Sequence, residues 1–388
     1  MADVRPFRGF RFDSSRAPLS RVLCPPYDVI DKDMAKGLRC GAFNAVHLEL
    51  PEGEGAAKYR NSAALWKRWQ KDGVLKRDEA PCFYVCEERF VVAGKPRRRV
   101  GFLAALGVTP KAAKDIVAHE RTLPKPKADR LKLLGAVKAN VSPIFGIFPD
   151  PGAAVRGVLA RTIKTRPTAS GVSPGGTRCR LWALSDEKQV ATIRRALSSR
   201  KVLIADGHHR CEVSRAYYAL DRRPETETVL AYLCPEEDSG LVMLPTHRIV
   251  KDAVGPAARK ACALKSVSSM DELLKLLARS SNPYAFGLLE GGFSLALPKG
   301  PGGCKSGLGV EWLAKRLFGA LAPDQIKYTP DARKAVKIAR ELPGSAVFVK
   351  PAPVSQVRRA VAAVGLLPPK STYFFPKIQT GLVFKSLR

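Results

Sequence analysis

Residues 201–219 read KVLIADGHHRCEVSRAYYA, and the fold assignment starts here. Val202, Leu203, Ile204 and Ala205 form a short apolar run of the kind that makes a buried strand. The run stops at Asp206-Gly207-His208-His209-Arg210. Beyond it, Val213, Ala216, Tyr217 and Leu220 recur at helical spacing and predict a helix with those four on its inner face. A carboxylate, a glycine, two imidazoles and a guanidinium therefore stand where a strand gives way to a helix. In open α/β sheets that junction is where ligands bind, and the N–H groups of a helix start favour an anion. Gly207 lets backbone approach whatever is held there. The plainer reading is a polar turn whose histidines cap the helix. Against it stands the density of the stretch, since the chain has only five histidines and two of them are adjacent here.

Outward from this stretch the chain alternates strand-like and helix-like runs, which predicts a mixed α/β fold: mixed sheets with flanking helices. Residues 202–205, 228–233 and 241–250 read as strands, the last carrying Pro245-Thr246-His247-Arg248. Residues 82–92 and 98–108 read as a hairpin turning at Ala93-Gly94-Lys95-Pro96. Tyr59, Ala63, Trp66 and Trp69 mark an amphipathic helix whose aromatics belong to a core. Residues 166–177, RPTASGVSPGGT, have linker composition. They suggest an N-terminal α/β region over 1–165 and a C-terminal one over 178–388, forming one compact unit that shares a site.

Composition narrows the class. The 388 residues hold 66 Lys and Arg against 35 Asp and Glu, a net charge of +31 that favours anionic partners. Part of the excess is local: 95–138 carries twelve Lys and Arg and three acids. The apolar runs are too short for a membrane span. The start, MADVRPFRGFRFDSS, lacks an apolar signal core, and nine scattered cysteines fit reduced thiols, so a cytoplasmic location is expected.

Three further polar stretches carry candidate chemistry. Pro25-Pro26 stiffens the approach to Tyr27 and Asp28. Asn44, His47 and Glu49 fall in a strand-like run. Residues 119–130, HERTLPKPKADR, supply His119, Glu120, Lys125, Lys127 and Arg130. Two prolines there argue for an extended segment, in which Lys125 and Lys127 point the same way. Asp129 would then cap a helix beginning at Leu131, and Lys125, Lys127 and Arg130 would converge on one anion. Each stretch also has a bland reading: a turn, a satisfied backbone, a solvated basic loop. The glycine-rich loop Gly300 to Ser306 is not a nucleotide loop, because Cys304 precedes Lys305 where the pattern demands glycine.

Taken together, the motifs RPFRGFR, CPPYDVI, NAVHLEL, HERTLPKPKADRL, NVSPIF, IADGHHR, LPTHRIV and KSTYFFPKIQTGLVF resemble, in order and over nearly the whole chain, the family called domain of unknown function 1015. The DGHHR segment is similar to the phosphate-binding element of the ParB/sulfiredoxin-like superfamily, which includes DNA partition proteins, sulfiredoxins and free-serine kinases. Cys211 departs from the aromatic residue that usually follows DGHHR.

The resemblance implies a kinase-type transferase of serine metabolism, converting a small hydroxyl amino acid, L-serine first, to its phosphate. Pyrophosphate or a nucleotide would be the phosphoryl donor. It implies Asp206, His208, His209 and Glu120 as catalytic candidates, with Asp206 accepting a proton or holding Mg²⁺. Lys125, Lys127, Arg130, Arg210, His119 and Gly207 would bind phosphate, and Tyr27, Asp28, Asn44, His47 and Glu49 the acceptor. Magnesium is the expected cofactor, with no organic cofactor. Small molecules are the expected partners. The alternative is a ParB-like nucleic-acid-binding or regulatory protein, which the charge permits; no helix-turn-helix or RNA-recognition motif accompanies it.

Overall fold

The structure, a computed structural model, describes residues 2–388 apart from Arg121, Leu123, Ala320 and Pro343, and apart from the side chains of Lys125 and Pro323. The fold is mixed α/β, with parallel and antiparallel pairing in one sheet. The chain divides into two compact units. The first comprises residues 1–118, 122–242 and 376–388, and the second residues 119–121 and 243–375.

In the first unit the sheet runs, in spatial order, Ile116–Val117, Val202–Asp206, Ile144–Phe148, Thr228–Pro235, Lys95–Gly107, Phe83–Val92, Arg178–Leu184 and Ala169–Val172, with Val4–Arg5 also paired to Lys95–Gly107. The expected hairpin is present. It turns at Ala93 and Gly94, with φ of 49° and 75°, the left-handed pair that matches the twist of two-residue hairpins. One sheet face packs Phe83, Phe102, Ile144, Trp182, Val202 and Ile204 into the main core. Helices Ala154–Thr162 and Glu187–Ser198 cover it through Val158, Leu159, Ile193 and Leu197. Residues 166–177, expected to be a linker, instead supply the edge strand Ala169–Val172 and its turn. Its small residues let the strand lie close to Leu19 and Ser20.

The other sheet face carries an ion pair. Glu88 and Arg99 are cross-strand neighbours, and both side chains are fully buried. Arg99 Nε donates to Glu88 Oε2 at 2.8 Å, and its guanidinium lies over the rings of Phe145 and Tyr232. It also donates to the carbonyl of Pro376, 2.8 Å away.

In the second unit an antiparallel sheet has the order Cys262–Val267, Gly292–Pro298, Phe286–Glu290, Ser345–Phe348, His247–Val250 and Ile326–Thr329. Residues alternate between two cores. Ile249, Leu289, Ala346 and Phe348 meet helices Met270–Arg279 and Ala332–Glu341, while Val250, Leu288 and Val347 meet Ala258 and Trp312. The strand expected over 241–250 is broken: Val242–Met243 and His247–Val250 are separate, with Leu244 bonded to Tyr373. His247 is buried and accepts from the Val349 N–H through Nδ1. Burial, helped by Arg248 and opposed by Asp331, lowers its pKa to about 4. The unfolded imidazole titrates near its ordinary value, so the unfolded state takes up the proton first as pH falls. Stability is therefore lost between about pH 6.5 and 4, by about 3 kcal/mol in total. His247→Gln should flatten that part of a urea-midpoint profile; an unchanged profile would remove His247 as its source.

Among the described residues no helix is long and apolar enough to cross a membrane, and the nine cysteines are free.

Candidate functional site

Strand Val202–Asp206 and helix His208–Leu220 form the expected strand–turn–helix junction. Gly207 sits between them with φ of 87°, and a Cβ there would meet the backbone of Ile144 at 3.1 Å. A side chain is disfavoured on both counts. Before the turn, Ile204 pairs with Gly146 and Asp206 with Phe145, so Ala205 is the extra residue of a bulge. Bulges re-aim the residues beside them, and this one sets Asp206 at the sheet end. The helix buries Cys211, Val213, Ser214 and Tyr217. The expected inner positions Ala216 and Leu220 are exposed, Leu220 by 75 %, because the helix docks on helix Pro124–Val137 through Leu134.

Asp206 faces two cations. Arg210, one helical turn on, donates to Oδ2 at 2.9 Å. Lys377 Nζ bonds Oδ1 and lies 3.9 Å from Asp28. Arg210 also bonds the Pro143 carbonyl. His208 is buried and His209 half-buried in the helix's first turn. Successive helical residues stand about 100° apart, so the two imidazoles diverge.

Beside this group lies a second one. Glu49 is fully buried; its Oε1 accepts from the Tyr27 N–H at 3.2 Å and from Ser142 Oγ at 3.0 Å. Arg130 donates to the Glu49 carbonyl at 2.7 Å, and its guanidinium stacks 4.4 Å from the Tyr27 ring centre. Burial raises the Tyr27 pKa against the pull of Arg210 and Arg130. Glu49, Arg130, Ser142, Arg210 and Ser214 line a cavity of about 40 Å³. Three of its polar atoms, Glu49 Oε2, Arg210 Nε and Ser214 Oγ, are buried without a hydrogen-bond partner.

The structure corrects several expectations. Asn44, His47 and Glu49 lie at a helical turn, Val46–Glu49, and not in a strand. Asn44 is spent on the chain itself, donating to the Arg21 and Leu23 carbonyls and accepting from the Val46 N–H. His47 Nε2 pairs with the Gly41 carbonyl at 3.0 Å. Residues 124–130 are helical, because a helix's first turn has no N–H bonds for Pro124 and Pro126 to lose. Asp129 therefore lies inside the helix and is not its cap. Burial raises the Asp129 pKa, but hydrogen bonds from Lys58 and Arg130 outweigh it and hold the carboxyl far below its usual range.

The expected convergence of Lys127 and Arg130 on one anion is not seen either. Lys127 pairs with Glu212 at 2.9 Å, which Thr122 also bonds, while Arg130 pairs with Asp129. The side chain of Lys125 lies outside the described residues. His119 and Glu120 belong to the second unit, where His119 Nε2 meets Thr372 Oγ1 at 2.8 Å; burial lowers the Arg248 pKa, opposed by the charges of Tyr328 and Glu120.

In the glycine-rich loop, Ser306 is engaged by the helix that follows. Glu311 accepts from the Ser306 N–H and hydroxyl, and those bonds with Lys315 outweigh burial and lower its pKa to about 2. Lys377, Ser142, Ser214 and Glu212 were not singled out from sequence. Lys377 and Ser142 do fall in the KSTYFFPK and NVSPIF motifs, which was the available signal.

Residues 4–314 match the family model described as protein of unknown function (DUF1015), and the chain belongs to that family. No curated protein matches it. Solved structures with a related arrangement include a conserved hypothetical protein from Pyrococcus furiosus, 14% identical, covering 72% of this chain and 92% of that one, with a TM-score of 0.39. A free serine kinase in complex with AMP is 12% identical, covering 71% and 86%, with a TM-score of 0.37. SbnI with a C-terminal truncation, from Staphylococcus aureus, is 9% identical, covering 72% and 85%, with a TM-score of 0.41.

Proposed function

We propose that the protein is a phosphotransferase acting on a small hydroxyl amino acid, L-serine first, with pyrophosphate or a nucleotide as donor, in the cytoplasm. One observation carries the reading: a buried carboxylate oxygen, a guanidinium N–H and a hydroxyl, all unpartnered, face one small cavity beside the Asp206–Arg210–Lys377 group. An unpaired buried polar atom costs about 1–3 kcal/mol, and a polar occupant would recover it. Glu49 Oε2 suits an ammonium, and Arg210 Nε suits a carboxylate or phosphate oxygen. In this reading Glu49 and Arg210 would hold the acceptor's charged ends, and Asp206 would meet its hydroxyl.

In the transfer, the hydroxyl oxygen forms a bond to the donor's terminal phosphorus as the bridging P–O bond breaks. Phosphate leaves from pyrophosphate, or the shortened nucleotide leaves from a nucleotide. Asp206 takes the hydroxyl proton. Arg210 and Lys377, with His208 and His209 at the helix start, neutralise the donor oxygens. Among the described residues no group of three or more His, Cys, Asp or Glu is placed to hold a metal. Magnesium needs fewer, since it keeps waters and donor oxygens; where Asp206 is not the base, it would hold the ion together with Asp28, the two carboxylates beside the Lys377 ammonium. When bound it supplies charge neutralisation on the donor.

The test is acceptor binding. Glu49→Gln keeps an acceptor for Tyr27 and Ser142 and turns the free oxygen into an amide. Calorimetric affinity for L-serine should fall at least about tenfold, the size of one charge-assisted hydrogen bond. Unchanged affinity would remove the cavity as the acceptor site.

A further inference from the structure

The second unit has a cavity of its own. It lies at the start of helix Gly309–Arg316, and its volume is about 40 Å³. Leu244, Pro283, Ala285, Leu313 and Val349 make its apolar walls. Thr246, from the LPTHRIV motif that the first site does not use, lines it. Thr246 is 5 % exposed, and its Oγ1 has no hydrogen-bond partner. Its backbone is pinned, because Arg248 bonds its carbonyl and the next residue, His247, receives the Val349 N–H. The hydroxyl is therefore a fixed group beside apolar walls, and leaving it unpaired is costly.

Two more features of the cavity favour negative charge. Lys350 lines it and donates to the Ser280 and Asn282 carbonyls at 2.9 and 3.0 Å. An ammonium has three donors, so one remains. Gly309 and Val310, also in the lining, are the first two helical residues, whose N–H groups have no acceptor within a helix. No Asp or Glu is among the described lining residues.

We propose that this cavity is a second ligand site, binding a small carboxylate whose charged end meets Lys350, Thr246 Oγ1 and the helix start, with its apolar end against Leu313 and Val349. Size and charge select the class. A water needs about 10–15 Å³ of such space, so the cavity suits only a small ligand. One cation matches a monoanion; inorganic phosphate is more highly charged. Burial lowers the Lys350 pKa, and an anion beside it would reverse that cost.

The probe is fluoroacetate, followed by ¹⁹F NMR on the full chain, with inorganic phosphate as competitor. A saturable one-to-one site is expected, with contacts from the bound probe to the Leu313 and Val349 methyl groups. Thr246→Val preserves shape and should weaken binding at least tenfold, and Lys350→Met should do the same. The methyl contacts need no variant, so they decide the matter if either variant fails to fold. Absence of those contacts, affinity unchanged in Thr246→Val, or displacement by phosphate at equal concentration would each overturn the proposal.

Discussion

Asp206→Asn should cut phosphotransfer turnover about a hundredfold or more, the usual loss when a positioned proton acceptor is removed. Asparagine preserves the side chain's shape and one carbonyl for Arg210 or Lys377. It removes the negative charge that both cations face. If Asp206 acts as the base, donor affinity by calorimetry survives or tightens, because a charge repelling the phosphates is gone. If Asp206 holds magnesium, donor affinity falls with turnover. Were Asp206 only a cap for helix His208–Leu220, asparagine would cap nearly as well, and neither quantity would move. Unchanged turnover in the folded variant therefore eliminates Asp206 from the chemistry.

Arg99→Met should cost about 3–5 kcal/mol of stability, because it strands the fully buried Glu88 carboxylate. Burial raises the Glu88 pKa against the pull of Arg99, so without Arg99 the carboxyl is pushed further toward its neutral form. The double variant Glu88→Leu with Arg99→Met replaces the pair by apolar groups and should recover most of the loss. Denaturant midpoints at constant slope measure both. A small effect in the single variant would mean that water reaches the pair. Arg99 also holds the Pro376 carbonyl, next to Lys377, so it should act on the candidate site as a positioning residue. The double variant should regain stability while losing donor affinity, a split that a purely structural role would not produce.

What could be read from sequence was local. The hairpin at Ala93-Gly94, the Trp66 and Trp69 helix face and the strand ending at Asp206 each announce themselves within about ten residues, through turn chemistry and periodicity. The prolines at 124 and 126 are ambiguous in sequence because their meaning depends on position: at a helix start they cost nothing. The buried face of helix His208–Leu220 cannot be read locally because its packing partner, Leu134, lies far back in the chain. The bulge at Ala205 leaves no local trace, since it depends on register with Phe145. Lys377 reaches Asp206 across 171 positions, and nothing near either residue encodes that distance. The strand–turn–helix at 201–210 is thus legible in the sequence, while the Lys377 counter-charge is not. Glu49 was named from its polar neighbourhood, yet its companions Asn44 and His47 are committed to backbone groups.

The central claim is phosphoryl transfer to a small amino acid, and ³¹P NMR tests it directly. Purified full-length protein with Mg²⁺ is incubated with L-serine and, in turn, pyrophosphate, ATP and ADP, with threonine and homoserine as alternative acceptors. The account predicts an O-phosphoserine resonance that grows with at least one donor and is absent from the Asp206→Asn sample. No phosphorylated amino acid with any donor, together with salt-sensitive, site-specific DNA binding by the same preparation, would contradict it.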